Sequence, residues 1–212
     1  MNKNSYNKNI FLETSRTYLR PFQQNELNMF ITWVLEGDGL LDVMSDGYDL
    51  NELQEWFLKL TSHWEQHQFG KVPVFLKDND EFIGYAGFTI AGPETSEKNR
   101  LAPNPNGSPN LEIGYRLHKK FWGKGYATEL AVAILQKIIE KFPGVPKVFA
   151  LARDDNFASQ NVLHKCMFKH LSTQVYSWGD KRWGFFYTTN DNIKKLLAQK
   201  SLAEKFKKQP NE

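Results

Sequence analysis

The chain has 212 residues, a formal net charge of +3 and 41% hydrophobic residues, which excludes global disorder and favours one domain over residues 1–212. Its single cysteine excludes an internal disulfide and is typical of the reducing cytoplasm, where we expect the protein to act. No apolar run reaches the roughly 20 residues of a membrane span, and the charge is small, so we expect no membrane and no nucleic-acid partner.

The N-terminal part of the chain predicts one strand, two helices and a hairpin. Residues 1–10 are polar and rich in Asn and Lys, so we expect them to be loose. Two segments have helical spacing of apolar residues; Asn25 stands at the cap of the first, and Gly70 stands where the second ends. The predicted elements are a strand at residues 17–21, helices at 25–36 and 51–68 around a loop at 37–47, and paired strands at 71–76 and 81–90.

The rest of the chain alternates strands and helices. Residues 91–109 are rich in Pro, Gly and Asn and predict a long loop. A strand, a helix and a strand follow one another over residues 111–152, and such a crossover makes its two strands parallel. The predicted elements are strands at residues 111–117, 147–152, 169–176 and 182–188, helices at 127–142 and 156–166, a turn at Gly179 and Asp180, and a basic helix within 190–212 that Asn190 caps.

A glycine-containing turn joins the predicted strand at residues 111–117 to the helix that follows it. The turn reads KFWGKGYATE over residues 120–129. The first N–H groups of a helix have no partner within the helix, and glycines let a phosphate approach the backbone. The pattern differs from a P-loop because Gly125 follows Lys124, and from a dinucleotide fingerprint because Thr128 replaces the third glycine. The turn therefore predicts a different phosphate-bearing ligand.

Three sequence blocks in the same order carry a resemblance to a known family. They read EIGY at residues 112–115, WGKGYATE at residues 122–129 and NFASQNVLHKCMF at residues 156–168. The chain resembles the GNAT N-acetyltransferases, and within them the ribosomal-protein-alanine acetyltransferase branch, over residues 17–188. The family's basic or amide residue, two spacers and Gly-x-Gly stand here as Lys120, Gly123 and Gly125.

The resemblance implies an α/β (α+β) fold, in which helices flank a mixed twisted sheet of about seven strands and the central parallel strands splay apart. It also implies acetyl-CoA as co-substrate, with its diphosphate on the backbone of residues 122–128 and its pantetheine arm along residues 115–117. The implied cofactor-binding residues are Tyr115, Arg116, Leu117, Lys120, Trp122, Gly123, Lys124, Gly125, Tyr126, Ala127, Thr128, Asn156 and Ser159.

Acetyl transfer to an amine needs a base, an orienting site and hydrogen bonds to the developing oxyanion. Glu112, on the strand beside the implied pantetheine arm, is the candidate base, acting directly or through water; the alternative is a buried glutamate held by Arg116 or by a neighbouring strand. The family's hydroxyl at the position of Ser159 lies near the thioester sulfur, which makes Ser159 the candidate acid. Asn156 contacts pantetheine in the family, and it also suits a helix cap.

Other reactive side chains predict no separate chemistry. His63 and His67 have a spacing that a metal uses, but no third ligand accompanies them, so we expect no metal. Cys166 is expected to be a buried packing residue, because direct transfer needs no covalent intermediate. Met167 stands where the family has a glycine, and Leu163 where many members have a tyrosine.

The sequence therefore predicts an acetyl-CoA-dependent N-acetyltransferase that acts on a primary amine, either a protein N-terminus or a small molecule. The alternative is a module that binds acyl-CoA as a sensor or structural ligand and transfers nothing. The sequence leaves the identity of the acceptor open, and it leaves open whether the protein is a monomer or a homodimer.

Overall fold

The structure is a computed structural model that describes residues 9–36, 49–91, 104–175 and 182–207, with side chains to residue 201. Several predictions fall outside these ranges: the loop at residues 37–47, residues 92–103 of the loop at 91–109, and the turn at Gly179 and Asp180. The expectation of a loose N-terminus also falls largely outside them, because residues 1–8 are not described.

The described residues contain eight strands and five α-helices, with short 3-10 helices at Gln24–Glu26 and Lys119–Phe121. All seven predicted strands are present; the eighth is a strand of two residues, too short to carry an apolar pattern. The elements are β1 (Leu12–Glu13), β2 (Thr17–Leu19), α1 (Leu27–Glu36), α2 (Leu50–His67), β3 (Lys71–Leu76), β4 (Phe82–Ile90), β5 (Leu111–Leu117), α3 (Tyr126–Lys141), β6 (Lys147–Arg153), α4 (Phe157–Lys165), β7 (Lys169–Val175), β8 (Arg182–Thr189) and α5 (Asn190–Lys207).

The strands form one mixed sheet in the order β1-β2-β3-β4-β5-β6-β8-β7. β5 and β6 run parallel, with Leu111 paired to Val148 and Glu112 paired to Phe149, which confirms the predicted crossover. The pairs β1–β2, β2–β3, β3–β4, β6–β8 and β7–β8 are antiparallel. The predicted fold class, a mixed sheet with helices, is therefore confirmed, whereas the splaying of the two parallel strands stays a prediction.

Contacts divide the chain into two compact units, and the single domain over residues 1–212 stays a prediction. In unit 1, helices α1 and α2 bury an aromatic core around Phe30, whose ring centroid lies 5.6 Å from that of Phe57 and 6.0 Å from that of Trp33. In unit 2, the rings of Phe149 and Phe185 stack 5.3 Å apart between β6 and β8. Unit 1 comprises Met1–Thr89 and Gly114–Ala133, and unit 2 comprises Ile90–Ile113 and Ile134–Glu212.

The ends of α1 and α2 differ from the prediction. Asn25 lies inside the 3-10 helix that precedes α1 and does not cap α1; the carboxylate of Glu26 instead accepts a hydrogen bond from the Gln23 amide at 2.8 Å. Gln68, with φ of 56°, ends α2 in the left-handed conformation that was expected of Gly70. The side-chain amide of Gln68 donates to two carbonyls of the last turn, which helps a residue other than glycine to occupy that position.

The beginning of α5 also differs from the prediction. The side-chain amide of Asn190 donates to two carbonyls of the turn before β6, so Asn190 fastens α5 to that turn and does not cap the helix. The hydroxyl of Thr189 accepts a hydrogen bond from the Asn192 amide at 3.3 Å and takes the capping position. Among the described helices, none is both long and apolar enough to cross a lipid bilayer.

The turn after α4 confirms the predicted burial of Cys166 and shows the backbone at Met167, where the family has a glycine. Cys166 is fully buried, and this burial raises the pKa of its thiol to about 11, so the thiol is protonated at neutral pH and is not a nucleophile. Met167 has φ of 61°, the left-handed conformation that a glycine adopts at lower cost. The chain therefore keeps the turn expected at this position although it lacks the glycine.

The paired histidines of α2 lie side by side, with ring centroids 4.6 Å apart. Burial, and then the positive charges of His67 and Lys71, lower the pKa of His63 to about 4, so its imidazole is neutral at physiological pH. In the part of the chain that the structure describes, no third His, Cys, Asp or Glu joins them in a group that could hold a metal.

Gly84 of β4 provides a test of how closely β4 and β5 approach. Its φ is 138°, and a Cβ at this position would lie 2.0 Å from the carbonyl oxygen of Arg116. We expect Gly84→Ala to lower the free energy of unfolding by about 3 kcal/mol, because both the backbone and the neighbouring strand must move. Urea unfolding followed by tryptophan fluorescence measures this loss.

The matched control is Gly107→Ala. Gly107 also has a left-handed φ, 73°, but a Cβ there would meet none of the described residues within 4 Å, so it isolates the backbone strain. We expect this variant to lose about 1 kcal/mol. Equal losses in the two variants would contradict the close approach of Gly84 to β5.

Candidate active site

Strand β5 presents alternate side chains to its two faces. Leu111, Ile113 and Leu117 are buried, whereas Glu112 and Arg116 are half-buried on the other face. The predicted base Glu112 thus lies at the end of β5 that pairs with β6. The role of Glu112 as a base stays a prediction.

Between Glu112 and Arg116 on the same face lies Gly114. A Cβ on this glycine would come within 2.6 Å of the side-chain carbon Cε of Lys71, so the lysine side chain passes directly over it. The guanidinium of Arg116 lies 5.3 Å from the ring centroid of Trp56, and its buried Nη1 has no hydrogen-bond partner among the described residues. The predicted cofactor-binding residue Arg116 is thus held by an aromatic contact on this face.

The turn that follows β5 is fixed by hydrogen bonds at its beginning. The amide of His118 donates to the Ile83 carbonyl of β4 at 3.0 Å, and the Trp122 indole N–H donates to the Leu117 carbonyl at 2.7 Å. The indole bond holds Trp122 against the end of β5 while nearly half of its surface stays exposed. This bond therefore joins two of the predicted cofactor-binding residues, Trp122 and Leu117.

Two left-handed glycines bring the turn to the first residue of α3. Gly123 has φ of 71° and Gly125 has φ of 81°, conformations that strongly favour glycine. In the part of the chain that the structure describes, and apart from its two chain neighbours, nothing lies within 4 Å of a Cβ on Gly123, so the described residues leave this backbone open. The φ angles of both glycines are consistent with the prediction that these residues let a ligand approach the backbone.

The N-terminus of α3 supplies unused hydrogen-bond donors. The Glu129 amide donates the first helical bond to the Gly125 carbonyl at 3.1 Å. The amides of Tyr126, Ala127 and Thr128 precede this bond, so helix geometry gives them no partner within the helix. Together with the helix dipole, these three amides form an arrangement that binds anions.

The two lysines predicted as ion partners of a diphosphate have other contacts in this structure. The ammonium of Lys120 pairs with the Glu81 carboxylate at 2.5 Å, and this hydrogen bond, with one from Asn79, lowers the pKa of Glu81. The ammonium of Lys124 lies 5.6 Å from the ring centroid of Phe121. Both lysines are exposed, so the main-chain amides are the fixed donors of the turn.

Sequence reasoning did not find Arg16, which holds the turn from the other side. Its Nε donates to Glu129 Oε2 at 2.7 Å, its Nη1 donates to the Lys124 carbonyl at 2.9 Å, and its guanidinium lies 4.1 Å from the Tyr126 ring centroid. The Ser15 hydroxyl also donates to Glu129, at 3.0 Å. The only signal in the sequence was an acidic side chain in the first turn of α3, which indicates a basic partner without identifying it.

The first turn of α4 contains the two remaining predicted residues. The side-chain oxygen of Asn156 accepts a hydrogen bond from the Ser159 amide at 2.9 Å, so Asn156 is the N-cap of α4. This cap uses Oδ1 and leaves the Nδ2 group out of the bond, so capping and a ligand contact are compatible. Leu163, where many family members have tyrosine, is buried and packs in the protein interior.

The acetyltransferase (GNAT) domain model matches residues 16–169, which is more than half of the chain. A curated relative, FsC-acetyl coenzyme A-N(2)-transacetylase of Aspergillus fumigatus, is 31% identical over 93 residues, which are 44% of this chain and 37% of the relative. The chain therefore spans little more than a third of the length of that relative.

Two solved structures show the fold. Ribosomal-protein-S5-alanine acetyltransferase from Vibrio fischeri is 14% identical, with 84% of this chain and 96% of that chain covered and a TM-score of 0.63. Aminoglycoside acetyltransferase AAC(6')-Ib in complex with coenzyme A is 21% identical, with 84% and 98% covered and a TM-score of 0.64. The sheet and the described helices agree with the fold of these acetyltransferases. By the domain match, the chain belongs to the GNAT family of acetyltransferases, whose acetyl donor is acetyl-CoA.

Proposed function

We propose that the protein transfers the acetyl group of acetyl-CoA to a primary amine by direct attack of the amine on the thioester. The observation that carries this proposal is the pair of left-handed glycines, Gly123 and Gly125, which lead into the N-terminus of α3 in a GNAT chain. The diphosphate of acetyl-CoA binds the amides of residues 122–128, and the exposed lysines contribute only long-range attraction.

The backbone geometry of β5 refines the proposed seat of the pantetheine arm. The His118 amide bonds to β4, and the Arg116 carbonyl oxygen also lies against β4, 2.0 Å from a Cβ position on Gly84. Backbone groups alternate in direction along a strand, so those of Tyr115 and Leu117 face away from β4. We therefore propose that pantetheine pairs like a strand with the backbone of Tyr115 and Leu117, whereas the backbone of Arg116 faces β4.

The proposed chemistry uses Glu112 and Ser159, the two predicted catalytic residues. A neutral amine attacks the thioester carbonyl, the C–N bond forms, and the C–S bond breaks as coenzyme A leaves as a thiolate. Glu112 takes the proton that the nitrogen loses, directly or through water. The Ser159 hydroxyl donates a hydrogen bond to the leaving sulfur, which departs as a thiolate and takes its proton from solvent. A thiol pKa of about 8.5 makes strong acid catalysis unnecessary.

The acceptor class follows from the need for a neutral amine. At pH 7.4 roughly a quarter of α-amino groups are neutral, against roughly one lysine amine in a thousand. The names of two structural neighbours give a ribosomal-protein alanine and an aminoglycoside as acceptors. A protein N-terminus or a small amine of low pKa is therefore the acceptor that we propose for this chain.

The proposed transfer is tested by thiol release from acetyl-CoA in the presence of amines. The panel contains a peptide with a free N-terminus, the same peptide with a blocked N-terminus and one lysine, a polyamine and an aminoglycoside. We expect release with the free peptide or a small amine of low pKa, and none with the blocked peptide. Binding of acetyl-CoA without release by any amine would instead favour a binding module.

The proposed diphosphate seat is tested by Gly123→Ala. A methyl group on the open face of the turn blocks the approach of the diphosphate, so we expect the dissociation constant of coenzyme A to rise at least about tenfold. Calorimetric titration measures this constant. Gly107→Ala is the matched control, because its φ of 73° resembles the 71° of Gly123 and its surroundings are equally open. Equal affinities of both variants for coenzyme A would contradict the seat.

The proposed base is tested by Glu112→Gln. We expect turnover to fall about 100-fold while the affinity for coenzyme A is retained, because the amide cannot accept the proton. The rate should then follow the deprotonation of the amine itself and continue to rise further into the alkaline range. Glu55→Gln, on the exposed face of α2, is the control and should change neither quantity. An unchanged pH profile would remove Glu112 from this role.

A further inference from the structure

We propose that Arg16 is a positioning residue that orients the turn between β5 and α3 for the diphosphate of acetyl-CoA. The proposal rests on the proposed function, since it assumes that the diphosphate binds this turn. Arg16 lies in the turn between β1 and β2, far from the glycine motif in sequence. It has no need to touch the ligand, because its contacts are with the residues that would bind it.

The guanidinium contacts the turn at several successive points. Its Nη2 lies 2.6 Å from Glu129 Oε2 and 3.6 Å from a Cβ position on Gly125. Its Nη1 donates to the Lys124 carbonyl at 2.9 Å, and its face covers the Tyr126 ring at 4.1 Å. The fork of guanidinium donors is rigid, so these contacts fix the relative positions of the turn and the first helical residue.

The contact with the Lys124 carbonyl has a direct consequence for the next amide. In a trans peptide the C=O and the following N–H point in opposite directions. No peptide bond among the described residues is cis. Because the Lys124 carbonyl points to Arg16, the Gly125 N–H points away from Arg16. Arg16 thus holds one of the proposed diphosphate donors in a fixed direction before the ligand arrives.

The contact with Glu129 has an electrostatic consequence. A carboxylate within the first turn of α3 would repel a diphosphate bound there. Burial, the largest single influence, acts to raise the pKa of Glu129, but hydrogen bonds from Thr14, Arg16 and Ser15 together lower it. Glu129 therefore stays ionised, and the positive charge of Arg16 compensates it at 2.6 Å. The pair presents no net charge to the ligand.

The test compares two acetyl donors that differ in the diphosphate. Acetyl-CoA carries the diphosphate and the 3′-phosphoadenosine beyond it, whereas acetyl-pantetheine has the same thioester and arm without either. We expect Arg16→Gln to raise KM for acetyl-CoA about tenfold with little change in kcat, and to leave KM for acetyl-pantetheine unchanged. Arg16→Lys keeps the charge but loses the fork, so its KM for acetyl-CoA should lie between those of wild type and Arg16→Gln.

Two further variants separate positioning from general destabilisation. Lys77→Gln removes the ion pair with Glu13, 2.9 Å long, which joins β1 to the end of β3, and it should change neither KM. Adding Glu129→Gln to Arg16→Gln removes the uncompensated carboxylate and should recover part of the lost affinity for acetyl-CoA.

The outcomes distinguish the role of Arg16 from the seat itself. If Arg16→Gln raises KM equally for both donors while wild type prefers acetyl-CoA, Arg16 has only a structural role and the inference is overturned. If wild type itself does not distinguish acetyl-CoA from acetyl-pantetheine, the diphosphate seat is wrong, and the role of Arg16 fails with it.

Discussion

The site depends on main-chain N–H groups at the beginning of α3 that have no partner within the helix. Helix geometry creates such donors at every helix N-terminus, but most are covered by a cap or by water. Here Gly123 and Gly125 turn the chain in the left-handed conformation, and no described residue other than the two chain neighbours lies within 4 Å of the Cβ position of Gly123. Helix geometry therefore supplies the donors, and the two glycines leave the approach to them open.

This arrangement needs support from outside the turn, because glycine is also the residue with the greatest backbone freedom. β5 fixes the beginning of the turn through the bond from Trp122 to the Leu117 carbonyl. Arg16 fixes its end through the Lys124 carbonyl and Glu129. The turn between β5 and α3 is therefore anchored at both ends. This anchoring lowers the conformational entropy that the turn loses when an anion binds.

Much of the fold and the local part of the site could be predicted from the sequence. β5 was predicted at its observed bounds and α3 within one residue, because apolar residues recur in each at the regular spacing of a strand or a helix. Local hydrogen bonds were harder: Asn156 caps α4 as expected, but Asn190 bonds to a distant turn and Thr189 takes its place. Arg16 could not be found because its partners lie more than 100 residues away in sequence, and a basic residue in a turn resembles any solvated side chain.

The minor role of the Lys120 side chain follows from the same division of roles. A lysine lacks the fork geometry of arginine and binds a diphosphate only as a mobile point charge. In this chain its ammonium pairs with Glu81, and such an exposed pair contributes little to stability. A side chain at this position therefore has little influence on the geometry of the turn, which the backbone and Arg16 determine. We therefore expect substitution at Lys120 to be tolerated and substitution at Gly123 not to be, because the proposed diphosphate seat consists of fixed amides that the glycine leaves accessible.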